Sequence, residues 1–509
     1  MVCLDRTSGA VLWRKPVPLA LSSVTGTVPA LVLSDSAVYV ADAKALHALS
    51  IKDGAQLWTG DAQINHHKAP DLFLTGGVVW TGYGGRYTAY DLATGKIAKT
   101  IKQAMTGPMG HDRCYRNRIT DRFYIDSATG GSDFVSLDTS GGTPQSEFPN
   151  PWVRSTCGIG FLPCNGLLYA GPPACACSNG VMLNALNALA PEPGMKSSSQ
   201  PIEIATIPRL EKGPAYKEIP DSKSQIPDSA DWPTYRHDAG RSGHTTAAGP
   251  AQLQPLWTAK LCASTGSHLG GVREGVKISA PVIAASKVFV ADVDAHAVCA
   301  LDADTGRVAW RYTAGARIDS PPTYYQGRLL FGSRDGWVYC LRAADGALAW
   351  RFKDLPDDRW IMAYDQPESA WPVCGSVLTL NGVVYFAAGR NSFSDGGIWI
   401  YGLDPATGRV IHRRHMYGPY GDDGFPIIKG ADYVGHGIQG FKNDVLLTDG
   451  KYLYLRHQPF NPDLSSLSAN QSPLPHLIAN PGFLESIPQH RSFWTINSAL
   501  LYDIATGTT

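Results

Sequence analysis

No apolar run in this 509-residue chain approaches the roughly 18 to 20 residues that a membrane helix needs. The opening MVCLDRTSGA has neither the basic start nor the apolar core of a signal peptide. An excess of one charge is missing too: 44 Lys and Arg balance 44 Asp and Glu, which removes any global electrostatic case for nucleic acid or an anionic membrane. Charged residues make up only 17% of the chain against 44% hydrophobic ones, a balance that argues for a folded chain. There is no Walker phosphate loop, no His-Glu-x-x-His and no Gly-x-Ser-x-Gly, so three common catalytic signatures drop out. GYGGRY from Gly82 is a glycine-rich strand turn and not a dinucleotide fingerprint.

What the chain does have is turns and a repeat. Its 53 Gly and 36 Pro suit an all-β profile, and its length implies two or three domains or one long array. The phrase apolar-Leu-Asp-x-x-Thr-Gly-x-x-x-Trp recurs as CLDRTSGAVLW from Cys3, ALSIKDGAQLW from Ala48, AYDLATGKIAK from Ala89, ALDADTGRVAW from Ala300 and CLRAADGALAW from Cys340. Weaker copies start at Ser136, Ala185, Gly402 and Leu501. Upstream of many copies stand a Ser or Thr two before a Pro, a short apolar strand, a turn and a strand reading VYV or close to it. Successive copies from Ser279 and Ser320 set a period of about 40 residues.

Within each unit, alternation over runs of four to seven residues predicts four short antiparallel strands. The Asp-x-x-Thr-Gly step is a tight turn in which Asp bonds nearby amides and Gly takes positive φ. Such a unit cannot bury both faces alone, so units must stack, and radial stacking gives a β-propeller. Trp13, Trp58, Trp310 and Trp350 share one place after the turn and are expected to be wedged between blades.

These repeats resemble the PQQ-like propeller family, which includes the quinoprotein alcohol dehydrogenases and the outer-membrane assembly lipoprotein of the same fold. The phrases HDRCYRNRITDRFYIDS, CGIGFLPCNGLLYAGPPACACSNG, DWPTYRHDAGRSGHT and GRNSFSDGGIWIYGLDPATG look like large planctomycete-type PQQ-like repeat proteins of undefined role. The fold expected is therefore an all-β propeller of four-stranded antiparallel blades, about eight to a ring, with one ring or two left open. The organisation expected is blades over 1–191, a Pro-rich linker over 192–230 and a second set of blades over 231–509. Both sets are expected to be incomplete at the chain's ends, where the sequence starts and stops inside a repeat. DWPTYRHDAGRSGHT from Asp231 resembles the segment that opens many such propellers, and the strand LQPLWTAKL follows it. HQPFNPDLSSLSANQSPLPHLIANPGFLESIPQHRSFW departs from the repeat and reads as a long inserted loop.

Residues just before the Ser-x-Pro phrase are expected to gather around one mouth of the central channel. They are His66, His67, His111, Arg113, Arg154, Arg273, Lys277, Arg317, Asp319, Asp365, Glu368 and Trp371, with Glu274 beside them. As a funnel they would suit an anionic or polyhydroxylated ligand, with Arg as bidentate donor and Trp371 as stacking surface; as loop tips they would simply be solvated. Cys157, Cys164, Cys175 and Cys177 cluster, with Cys114 as a further candidate, and disulfides, buried thiols and a metal site all stay open.

The family's dehydrogenases use an adjacent Cys-Cys pair, a calcium ion held by carboxylate and amide side chains, and a catalytic Asp, and some carry Cys-x-x-Cys-His. Neither cysteine motif occurs here, so no residue carries over and no metal ligand is assigned, although PQQ with calcium stays open as a cofactor. The leading expectation is a binding or scaffold module for a protein or polysaccharide partner, with no nucleic acid and no membrane insertion. The rivals are a PQQ-dependent alcohol or sugar dehydrogenase and a carbohydrate-active propeller enzyme. The resemblance implies a periplasmic or cell-surface setting.

Overall fold

In a computed structural model the chain is described over residues 1–17, 19–20, 29–62, 70–104, 115–140, 143–156, 158–171, 183, 186–191, 204–219, 231–249, 251–261, 278–363, 366–418, 440–456, 458–472, 477–480 and 493–496. All regular structure there is β. Two compact units divide the chain, one built mainly on Met1–Ser178 and the other mainly on Gln200–Pro419 with Gly440–Thr509.

Among the described residues the first unit holds five successive sheets, numbered here as blades 1 to 5, and a small separate hairpin of Thr139–Ser140 with Thr143–Pro144. Blade 1 has two strands, Val2–Leu4 and Val11–Arg14; blade 2 has Ala30–Leu33, Ala37–Ala41, Ala45–Ser50 and Gln56–Asp61. Blade 3 has Phe73–Thr75, Val78–Tyr83, Arg86–Asp91 and Ile97–Lys102. Blade 4 has Arg118–Ile119, Phe123–Asp126, Asp133–Ser136 and Glu147–Phe148, and blade 5 has Phe161–Cys164, Leu167–Ala170 and Asn187–Leu189. The second unit continues with blade 6 (Val282–Ala284, Lys287–Asp292, Ala297–Asp302, Val308–Thr313) and blade 7 (Thr323–Tyr325, Arg328–Gly332, Val338–Arg342, Leu348–Leu355). Blade 8 comprises Leu378–Leu380, Val383–Ala388, Ile398–Leu403 and Val410–Met416; blade 9 comprises Leu447–Thr448, Leu453–Leu455 and Gln458–Phe460. In each, chain order is strand order and neighbours are antiparallel, as in a propeller blade.

The repeated turn explains the repeated phrase. Asp302 Oδ1 accepts from the backbone N–H of Thr305 at 2.9 Å and from its hydroxyl at 2.7 Å, and Gly306 closes the turn with φ of 69°. Asp91 with Thr94 and Asp404 with Thr407 repeat both bonds. The threonine hydroxyl bond and then the amide bond hold the Asp91 and Asp302 carboxyls below the usual carboxylate range.

Each turn is also the seat for the preceding blade's tryptophan. The indole N–H of Trp13 donates to Ile51 O at 2.8 Å, Trp58 to Leu92 O at 2.9 Å, Trp310 to Ala343 O at 3.1 Å and Trp350 to Pro405 O at 3.0 Å. Trp257, in LQPLWTAKL, does the same to Ala303 O at 2.9 Å, although no strand is formed there. A Cβ on the turn glycine would meet the ring at 2.5 to 2.8 Å at Gly54, Gly95, Gly306, Gly346 and Gly408. Glycine is thus needed twice, for positive φ and for the approach of the ring. Trp350 is fully buried, Trp13 and Trp58 nearly so, and Trp310 is half-buried. Blade 3 carries Lys99 at this place, and its ammonium reaches the equivalent carbonyl, Leu137 O, at 2.8 Å. From blade 8 the tie is made by Tyr385, whose hydroxyl donates to Pro462 O at 2.7 Å.

Two segments do more than their composition implies. Ile207–Lys212, inside the Pro-rich stretch, pairs with Leu348–Leu355 as a fifth, outermost strand on blade 7. An outer edge tolerates Pro208, which has no N–H to give. Ion pairs of Arg351 with Glu211 at 2.6 Å and Arg209 with Asp358 at 2.7 Å fasten it. Near the C-terminus, the expected long loop is corrected: its start supplies strand Gln458–Phe460 of blade 9, and Leu477–Asn480 pairs with Phe493–Ile496. The turn Asn461-Pro462-Asp463 does the work of Asp-x-x-Thr-Gly with different residues, which hid the repeat; Asn461 N–H donates to Ser465 O at 2.9 Å.

Candidate functional site

Of the polar residues expected at a funnel mouth, His66, His67, His111, Arg113, Arg273, Lys277 and Asp365 lie outside the described residues, as do Glu274 and the cysteines Cys114, Cys157, Cys175 and Cys177. Cys164 ends the first strand of blade 5 as an exposed thiol. Arg154 is buried in the first unit.

The second unit brings Arg317, Asp319, Glu368 and Trp371 together, and buries all four. The Arg317 guanidinium donates to the Glu368 carboxylate. Asp319 pairs with Arg334 at 2.5 Å and accepts from Gly375 N–H and the Ser320 hydroxyl, each at 2.9 Å. Two cations thus meet two anions. The Trp371 indole donates to Asp395 O at 2.7 Å, and Arg359 lies over its ring at 5.1 Å. Asp395 in turn holds Arg390 at 2.5 Å and Arg359 at 3.3 Å. Breaking one partner of such a buried pair is costly, while the intact pair chiefly fixes which segments meet. Nearby, Asp335 accepts from Gly315 N–H, Trp337 N–H and the Tyr339 hydroxyl at 2.8, 2.9 and 2.6 Å; burial nevertheless pushes its carboxyl up.

These residues do not fit a calcium-bound quinone. A Lewis-acid site needs several oxygen donors free to converge on one ion, whereas Asp319 and Glu368 are each committed to an arginine. No group of three or more His, Cys, Asp or Glu able to hold a metal forms among the described residues.

The segment that starts at Asp231 crosses the first strands of the second unit's blades. Trp232 and Ile283 of blade 6 exchange backbone bonds at 2.7 and 2.9 Å. Tyr324 N–H of blade 7 donates to Pro233 O at 2.7 Å, and the hydroxyls of Thr234 and Thr323 meet at 2.8 Å. Arg241, fully buried, donates to Val377 O ahead of blade 8 at 3.2 Å and to Leu446 O ahead of blade 9 at 3.1 Å, and to Thr234 Oγ1 and Tyr235 O. Burial pulls its pKa down to about 10, so it keeps its charge at neutral pH. Thr448 N–H of blade 9 completes the crossing on Ala239 O at 3.1 Å. The DWPTYRHDAGRSG phrase is legible in sequence as an opening segment; the role of Arg241 is not.

The corresponding strands of the first unit face the other way in chemistry. Leu31 and Leu33 of blade 2 are 52% and 55% exposed, and Leu162 of blade 5 is 56% exposed. A shallow cavity of about 510 Å³ runs from Leu31 and Leu33 across Phe73 and Leu74 of blade 3 to Ile119 of blade 4, and every side chain in its lining is apolar. Blades 3 and 4 also bury a polar group: Tyr87 donates to Asp126, and Asp126 faces Asp133 across neighbouring strands. Asp133 accepts from Thr129 N–H, Thr129 Oγ1 and Asn150 N–H at 2.7, 2.6 and 3.1 Å, yet burial raises its pKa to about 6.

The sequence profile of the family described as outer membrane protein assembly factor BamB matches residues 1–147 and 241–430. No curated protein matches the chain. Among solved structures, BamB from Moraxella catarrhalis aligns at 11% identity over 91% of this chain and 88% of its own, with a TM-score of 0.23. The computationally designed Ika8 protein aligns at 12% identity over 87% of this chain and 94% of its own, with a TM-score of 0.23. The designed Ika4 protein aligns at 12% identity over 36% of this chain and 98% of its own, with a TM-score of 0.25. TM-scores this low carry nothing beyond the alignment itself.

Proposed function

Because the chain belongs to the family of outer membrane protein assembly factor BamB, we propose that it is a binding or scaffold propeller that holds a protein partner in the bacterial envelope. The observation that carries this reading is that the described mouth charges of the second unit are buried in ion pairs, while the first unit carries an open patch lined by apolar side chains. The described charged residues expected at the channel mouth in the second unit satisfy one another inside the fold. In the first unit an open patch of apolar side chains borders the first strands of blades 2 to 4. Catalysis needs preorganised groups aimed at a reacting centre, whereas docking needs accessible apolar area and complementary shape. No helix among the described residues is long and apolar enough to cross a membrane.

The experiment is crosslinking of the full chain in envelope preparations, with mass-spectrometric identification of the joined residues. Recurrent crosslinks to one identified envelope protein are expected. Steady dye reduction with PQQ, calcium and an alcohol panel, abolished by Asp319→Asn, would contradict the reading and favour a dehydrogenase. Saturable binding of a polysaccharide without any protein crosslink would replace the protein partner by a glycan.

A further inference from the structure

We propose that the inner face of blades 2 to 4 is a docking groove for an extended segment of a partner protein, of the aromatic-proline type that residues 232–241 supply to the second unit. This rests on the binding reading above and names what the site takes.

The first strand of each blade is the edge of its sheet, and one row of its backbone groups points away from the ladder. In blade 6, Ile283 lies one residue before the hairpin, and its N–H turns outward to Trp232 O at 2.9 Å. In blade 7, Tyr324 holds the same place, and its N–H goes to Pro233 O. The same alternation places Leu33, Leu74 and Ile119 at the corresponding positions of blades 2, 3 and 4. Ser34 N–H and Thr120 N–H, one residue further on, bond inward to Ala37 O and Phe123 O at 2.9 Å, so the amides of Leu33 and Ile119 point to the open edge. The strand edges of blades 2 and 3 lie side by side.

The two faces differ in what covers them. Beneath the crossing segment, Tyr324 is 6% and Thr448 5% exposed, with Ile283 at its rim 40% exposed, whereas Leu31 and Leu33 are 52% and 55% exposed beside the cavity. An occupant must cover apolar side chains and pair with outward backbone groups at once, which an extended peptide does. A carbohydrate would find no polar side chain in the lining. The chain's own residues 232–241 are already engaged in the second unit, as they would be in a second copy, and the occupant we assign is a segment of another protein. With no charge in the lining, its anchor is aromatic or aliphatic, as at the centre of most protein interfaces.

The test titrates a fluorescent peptide with the sequence of residues 230–243 onto the full chain. Saturable binding is expected, weakened about tenfold or more by Leu31→Asp with Leu33→Asp, and lost when alanine replaces the peptide's tryptophan. Circular dichroism and the melting temperature must be unchanged, and the milder Leu33→Ser serves if the double variant fails to fold. No binding to the unaltered chain, or equal binding to the variants, overturns the groove. An identified protein crosslink that survives Leu33→Ser would keep the binding reading and sink the groove.

Discussion

The two units solve the same problem in different ways. In the second, a ten-residue stretch lies across the first strands of blades 6, 7 and 9, and Arg241 donates to the carbonyls of Val377 and Leu446 just ahead of blades 8 and 9. In the first, Leu31 and Leu33 of blade 2 are half exposed, and Leu74 and Ile119 extend the same apolar patch across blades 3 and 4. An uncovered edge is a liability that folds usually blunt with charge, proline or a cover. Retaining half-exposed leucines along such an edge, where Tyr324 and Thr448 of the second unit are buried, is the pattern of a contact surface.

The largest effect sharpens what the units share. Trp350→Ala removes a fully buried ring and its bond to Pro405 O, and should cost about 3 to 5 kcal/mol by cavity formation. Urea unfolding followed by fluorescence reads it, and a loss below about 1 kcal/mol would deny the seat its role. Arg241→Ala comes next, because it strips a donor from four acceptors at the centre of the second unit. About 2 to 4 kcal/mol is expected, with hydrogen exchange accelerated in blades 6 to 9 and unchanged in blades 2 to 4. Uniform acceleration would break the comparison.

pH separates a third contribution. Asp133 has a folded pKa of about 6, above the ordinary value of 3.8 for an aspartate, so the folded state binds the proton more tightly. Its stabilisation is full below about pH 3.8 and is lost as pH rises through about 6. The melting temperature of the first unit should fall across that window, and Asp133→Asn should flatten the fall. A smaller effect is expected at Lys99→Met, which deletes one bond to Leu137 O and should cost about 0.5 to 1.5 kcal/mol, far less than loss of a tryptophan in the same place.

Much of the fold is legible in the amino-acid sequence, and the reason is local. Asp302, Thr305 and Gly306 specify a turn among themselves, so their spacing repeats wherever the turn does. Trp13, Trp58, Trp310 and Trp350 follow at fixed distance because each must reach the next turn. A role of that kind is written within one repeat. What stays hidden depends on contacts between distant stretches. Nothing local tells Glu368 that Arg317, 51 residues away, will meet it, so a buried ion pair and a solvated loop tip look alike in sequence. The strand Ile207–Lys212 is obscured because pairing with Leu348–Leu355 requires only an extended backbone, which Pro-rich composition also gives. Tyr385 escapes notice because the bond to Pro462 O needs any donor at the right height, not a particular residue.

Hydrogen exchange at single-residue resolution tests the difference between the units most directly. The amides of Ile283, Tyr324 and Thr448, bonded to Trp232, Pro233 and Ala239, should be protected by orders of magnitude over exposed amides. Those of Leu33, Leu74 and Ile119 should exchange near the unprotected rate in the free chain and slow when a docking peptide is added. Equal and strong protection at all six amides without a partner would contradict the account.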